Sequence, residues 1–205
     1  MDIIEALLNR KSIRYFVPYT IPQDDVALLM ECTRWAPSGR NTQPWEFLVV
    51  DDPDHIRQIY DFGWPGYAQG ANVCRFGDAS LLVFFLGNTQ CFLAAENLTL
   101  AAYGLGYGSC MIGAFDQERT KALLGVPRNQ RMRLMVAVGV ADEERSNQAR
   151  FTDTGQTLAE ALPYPPDTRK RLHELVHHGA YGAPYAELGE GRTRAPLVGG
   201  FKRGG

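Results

Sequence analysis

What this chain lacks narrows its function before any motif is considered. None of its 205 residues fall in an apolar run approaching the ~20 positions that a transmembrane helix needs, so no membrane role is expected. Charge of neither sign dominates: 21 Lys and Arg stand against 23 Asp and Glu, a formal charge of −2. That balance gives neither a nucleic-acid footprint nor an attraction to anionic membranes. The four cysteines, Cys32, Cys74, Cys91 and Cys110, are scattered, with no Cys-x-x-Cys pair. They read as reduced residues of a cytoplasmic protein, not as a disulfide framework or a zinc knuckle. Met1-Asp2-Ile3-Ile4-Glu5 carries acidic residues where an export signal would carry basic ones. Internal repeats, low-complexity tracts and a convincing catalytic dyad or triad are absent as well.

What is present is the 45% hydrophobic share of a globular protein, enough for one core with an appendage. Residues 81–86 and 132–140 read as buried strands, and residues 47–50 as a shorter one. A short helix over 2–9 puts Ile3, Ile4, Leu7 and Leu8 on one face. A second carries Val26, Leu28, Leu29, Met30 and Cys32, with Asp24 or Asp25 as its cap. Pro53 and Asp54 begin a third, residues 117–124 form a short one, and residues 91–105 form a helix apolar nearly all round. Such a helix belongs in a core or at a subunit interface. After residue 140 the composition turns polar. A helix over about 168–178 is followed by a tail rich in Gly, Arg and Pro. The domain organisation read from this is a core over 1–140 and an extension over 141–205. The extension is part of the same domain or wraps a partner subunit.

Two polar stretches carry candidate chemistry. The first is Arg10-Lys11-Ser12-Ile13-Arg14, whose three cations and hydroxyl suit a phosphate through charge-assisted hydrogen bonds. A solvated basic turn is the plainer alternative. The second runs from Trp35 through Pro37, Ser38, Gly39, Arg40, Asn41 and Gln43 to Trp45, a polar loop delivered to the edge of a sheet, where ligands commonly sit. Gly104-Leu105-Gly106 through Gly113-Ala114 supplies glycines where backbone can approach a flat ligand. It follows a helix, unlike a dinucleotide fingerprint. The aromatic segment over 61–78 reads as a cover on a pocket, with Phe62, Trp64, Tyr67 and Phe76 as candidate lining.

A competing motif is His173-Glu174-Leu175-Val176-His177, which fits the zinc-peptidase pattern of two histidines one helical turn apart with a glutamate between them. Against it, Leu172, Leu175 and Val176 form the buried stripe, and Ala180 and Ala183 stand where the longer signature needs Gly and His. No metal is expected there.

Taken together, Arg10-x-Ser12-x-Arg14, Ala36-Pro37-Ser38-Gly39-x-Asn41-x-Gln43-Pro44-Trp45, Ala95-Glu96-Asn97-Leu98 through Gly106, Gly113-Ala114-Phe115-Asp116 and Leu124-Gly125-Val126-Pro127 resemble the nitroreductase family, in its order and spacing. The resemblance implies an α+β fold, a central mostly antiparallel sheet flanked by helices, in an intertwined homodimer. It implies FMN as cofactor and NAD(P)H as reductant, with ping-pong transfer to a small acceptor such as a nitroaromatic or quinone. A specialised flavin dehydrogenase of a biosynthetic intermediate is the alternative within the class; a zinc peptidase is the alternative outside it. By the same resemblance, Arg10, Lys11, Ser12 and Arg14 hold the FMN phosphate and ribityl chain. Pro37, Ser38, Gly39 and Asn41 from the other subunit line the ring. The backbone of Gly113 and Ala114 lies near flavin N5, with no catalytic side chain, since the cofactor carries the chemistry. A further phosphate contact falls to Arg150, or to Arg192 and Arg194.

Overall fold

The organising strand of the fold is the ten-residue β5, Met132–Ala141, against which three other strands pair. The structure is a computed structural model that describes residues 2–62, 76–147 and 169–183, with the side chains of Phe76, Asn147 and His173 outside the description. Its elements in chain order are α1 (Ile3–Asn9), β1 (Phe16–Val17), α2 (Gln23–Arg34), β2 (Trp45–Val50), α3 (Pro53–Asp61), β3 (Leu81–Gly87), α4 (Cys91–Gly104), β4 (Gly108–Ile112), α5 (Gln117–Leu124), β5, α6 (Glu143–Asn147) and a single turn, α7 (Leu172–Leu175). Every strand pairing is antiparallel. One edge of β5 takes β3, which in turn takes β2; the other edge takes β4 and, at the strand's C-terminal end, β1.

Six consecutive apolar residues, Leu81 to Leu86, make β3 legible as a strand buried on both faces. Alternation sends Leu81, Val83 and Phe85 to one core with Leu29 of α2 and Ala94, Ala95, Leu98 and Ala102 of α4. Leu82, Phe84 and Leu86 go to the opposite core with Ile56 and Ile59 of α3. Burying each of the larger side chains is worth about 1.5–3 kcal/mol, so the two-sided strand anchors both layers. On β5 the same alternation places Leu134, Val136 and Val138 with α4, and Met135 and Ala137 with α3. A bulge at Arg133 breaks the register: Phe85 pairs Leu134 but Leu86 pairs Met132, which sends Met132 to the α3 side. Arg133 Nε donates to the Gly87 carbonyl at 2.8 Å and closes that irregularity.

Two expectations are corrected. The first concerns the α2 cap: neither Asp24 nor Asp25 fills it. Pro22 stands there, and the two aspartates lie in the first turn, where they complement the helix dipole. Asp25 instead accepts a hydrogen bond from the Tyr107 hydroxyl. The second concerns the helix expected over about 168–178. It is only the turn Leu172–Leu175, ended by an extended Val176. The apolar residues of α1 lie outside the core: Ile3, Ile4, Leu7 and Leu8 are 59%, 50%, 51% and 45% exposed, and only Ala6 is buried. On α4, Phe92 and Leu93 are likewise half-exposed. No helix among the described residues is long and apolar enough to cross a membrane.

Candidate functional site

The basic loop is fastened to the sheet at the C-terminal end of β5. Arg10 caps α1, its N–H donating to the Ala6 carbonyl at 2.9 Å. Ser12 then bridges to Ser109 of β4, and the Ile13 N–H donates to the Ser109 carbonyl at 2.8 Å. Gly108 makes this crossing possible: a Cβ there would lie 2.8 Å from Ile13 Cγ1. Three groups from α6 and its approach hold the other side of the loop. The Arg14 and Tyr15 N–H groups donate to Ser146 Oγ at 3.3 and 3.0 Å. The Asp142 N–H donates to the Tyr15 carbonyl at 3.0 Å. The Arg145 guanidinium lies 5.1 Å from the centre of the Tyr15 ring. Arg10, Lys11, Ser12 and Arg14 are all half-buried as a result. Their side chains are ordered too: Arg10 Nε stands 3.6 Å from Glu96 Oε1, Lys11 Nζ 3.4 Å from Glu143 Oε2, and Arg14 Nη1 donates to the Ser12 carbonyl at 3.2 Å. Behind the loop is a cavity of only about 10 Å³, room for about one water, lined in part by Lys11, Tyr107 and Glu143.

The second loop is built differently. Pro37, Gly39, Arg40, Asn41 and Gln43 are exposed. A 3₁₀ turn, Gly39–Asn41, is shaped by three non-glycine residues in the left-handed region, with φ of +55° at Arg40, +54° at Asn41 and +45° at Gln43. Such conformations cost roughly 1–3 kcal/mol each and cluster where a backbone is held for a purpose. Two bonds hold it here, one local and one from across the fold: the Gln43 N–H donates to Ser38 Oγ at 2.9 Å, and the Gly39 N–H donates to Gln90 Oε1 at 2.7 Å. Just before the loop, Trp35 is 71% exposed, yet its indole N–H donates to Glu31 Oε1 at 2.8 Å. Arg34 grips both oxygens of the same carboxylate at 2.6 Å and lies over the indole at 5.2 Å. Those hydrogen bonds hold the Glu31 carboxyl below the usual carboxylate range.

Gly113 and Ala114 follow β4 directly. Gly113 is exposed, and a Cβ on it would meet nothing within 4 Å, so its backbone is open to a ligand. It stands four residues beyond Ser109, about 13 Å along the edge strand from the basic loop. A ligand with an anionic end and a flat end can therefore lie along one edge of the sheet between the two. In the same chain the 37–43 loop enters the sheet at its opposite edge, through β2. Ser109 pairs Val138, whereas the loop leads into Trp45, which pairs Gly87, and Gly87 donates to the Arg131 carbonyl. The two clusters are seven residues apart along β5, about 23 Å, and on opposite edges of the sheet.

The remaining candidates divide plainly. Trp64, Tyr67, Arg150, Arg192, Arg194 and the side chain of Phe76 lie outside the described residues. Phe62 is half-buried beneath the Arg119 guanidinium, 4.3 Å from the ring centre. The zinc alternative loses its geometry: α7 ends at Leu175, so His177 is not one helical turn along from His173. Glu174 is engaged as well, accepting from the Arg171 N–H at 2.7 Å, and the His177 ring packs on Tyr181. Reading the sequence missed Glu96, Glu143, Ser146 and Gln90. No local pattern marks them, because each meets its partner through the tertiary fold.

Comparison with known proteins agrees with this geometry. The nitroreductase family model matches residues 7–80 and 84–140. A protein of Archaeoglobus fulgidus that carries the name NADH dehydrogenase/NAD(P)H nitroreductase is 31% identical over 153 residues, which is 70% of this chain and 88% of the relative. An FMN-dependent nitroreductase from Clostridium difficile R20291 superposes with a TM-score of 0.64 at 21% identity, over 87% of this chain and 99% of that one. A nitroreductase with bound FMN from Bacteroides fragilis gives 0.57 at 25% identity, over 70% and 90% of the two chains. These solved structures share the α+β fold, an antiparallel sheet flanked by helices.

Proposed function

The chain belongs to the nitroreductase family of oxidoreductases, and from that premise we propose that it passes electrons from NAD(P)H through FMN to a small acceptor such as a nitroaromatic or quinone. The two substrates take turns at one site. The observation that carries this reading is the layout of one sheet edge, with cations at one end and open backbone about 13 Å away. The donor set fits the cofactor. Arg10, Ser12 and Arg14 bring guanidinium and hydroxyl donors suited to a phosphate monoester. The N–H groups of Gly113 and Ala114 suit the polar edge of a flavin ring, where negative charge develops. Bound FMN would supply the hydride chemistry. The protein's part is to hold the phosphate at one end, orient the ring at the other and keep bulk water from its face.

The working unit in this reading is a homodimer in the cytoplasm. Two features support the dimer. Ser38, Gly39 and Asn41 stand about 23 Å along the sheet from the basic loop of their own chain and at its opposite edge, a placement that a second chain bringing them to the site would account for. The exposed apolar side chains of α1, with Phe92 and Leu93 of α4 and Leu28 and Trp35 around α2, supply the surface that such a partner would cover. The cytoplasm is supported by the thiols: Cys32 and Cys91 are free, and burial pushes Cys91 further toward its protonated form. The purified protein is expected to be yellow and to release FMN in acid at about one per chain. A colourless protein that takes up neither FMN nor riboflavin would overturn the reading.

A further inference from the structure

The loop that is to receive a phosphate already has carboxylates beside its cations. Lys11 is paired with Glu143 at 3.4 Å, with side chains 18% and 31% exposed. Arg10 is paired with Glu96 at 3.6 Å, with side chains 21% and 43% exposed. Resting on the FMN reading above, we propose that Glu143 sets the loop's affinity for a phosphate monoester by holding Lys11 back from it. Glu143 is thus a positioning residue that opposes the ligand. Lys11, on the same view, belongs to α6 before it belongs to the phosphate.

The geometry supports this in three ways. The backbone that carries Glu143 is held to the loop, because α6 is pinned through Ser146 Oγ and through the Asp142 N–H on Tyr15. The carboxylate faces the loop in a half-buried setting, where charges are screened less than at an open surface. The charge balance also works against the ligand: two carboxylates, Glu96 and Glu143, stand beside Arg10 and Lys11, facing a group that carries about −1.5 to −2 near neutral pH. Glu96 acts less strongly. Its pair is longer and more exposed, and its other oxygen accepts from Thr99 Oγ1 at 3.1 Å.

Glu143→Gln keeps the shape of the side chain and removes the charge, freeing Lys11 for the phosphate. In calorimetric titration of the flavin-stripped full chain, this variant is expected to bind FMN at least about tenfold tighter than the unaltered chain, the scale of one charge-assisted hydrogen bond. Riboflavin, which has no phosphate, is expected to bind both alike. Adding Lys11→Ala to Glu143→Gln abolishes the gain, and Glu96→Gln gives a smaller one. FMN binding that is unchanged or weaker in Glu143→Gln, or a gain shared by riboflavin, would overturn the proposal. If neither flavin binds the unaltered chain, it is the FMN reading that has failed. Inorganic phosphate then tests Glu143 by itself: tighter binding to Glu143→Gln upholds its role, and equal binding refutes it.

Discussion

The two loops that flank the sheet are made of similar residues and built in opposite ways. The loop over 10–14 is half-buried, bridged to β4 and hydrogen-bonded to α6, and has two of its three cations paired with carboxylates. The loop over 37–43 is exposed, holds three non-glycine residues at positive φ and is held by one local hydrogen bond and one to Gln90 of the α4 approach. The first is packed against its own chain, and the second presents polar backbone outward. Such a difference is expected when one site is assembled from two copies: the half that stays at home is packed, and the half that is lent is shaped.

The contrast is broken most severely at its cations. Replacing Arg10 and Arg14 together with Ala removes two charge-assisted contacts of about 1.5–3 kcal/mol each, so FMN affinity is expected to fall about 100-fold or more while riboflavin affinity changes little. Parallel losses for both flavins would make the loop a fold element instead. Mixing sharpens the same contrast. An Arg14→Ala chain and a Ser38→Ala/Asn41→Ala chain, each inactive alone, are unfolded and refolded together. About a quarter of the sites should regain both intact halves in a two-fold dimer that shares its sites, and activity measures the fraction. No recovery would place both loops' ligands within single chains.

Smaller effects separate packed glycine from open glycine. Gly108→Ala drives a methyl into Ile13 and is expected to destabilise the chain by about 1–3 kcal/mol, read as a drop in melting temperature. Gly113→Ala has open space and should stay within about 0.5 kcal/mol, so any loss of turnover there reports on the ligand. The smallest effect lies beside the exposed loop. Because hydrogen bonds from Arg34 and Trp35 hold the Glu31 carboxyl low, the clamp on the indole is intact above the usual carboxylate range and is lost as pH falls through the lowered value. With Trp45 and Trp64 replaced by Phe, Trp35 emission should shift only in that acid window, and Glu31→Gln should remove the step.

How much was legible follows from how far apart the interacting residues lie. The run Leu81 to Leu86 and the alternation along β5 declare themselves within a few positions, as do the Asp52 and Asp116 caps, which accept from His55 and Arg119 three residues on. The ordered set of short motifs was equally open to inspection and identified the family. The α2 cap was misread because Asp24 and Asp25 satisfy the local pattern, while Asp25 is drawn to Tyr107, 82 residues away. The zinc motif failed for a related reason: a helical spacing has no force where the helix ends after one turn.

The sequence by itself determined three of the five strands, most helices and the chemistry of the two polar loops, because periodicity, capping and residue type act over short windows. Only the tertiary structure decided that Lys11 faces Glu143, 132 residues away, that Arg10 faces Glu96, and that the two loops stand at opposite ends of β5. Sheet register fixes those meetings. Register is set by how all the strands bury their faces at once, and no single stretch of the chain contains it.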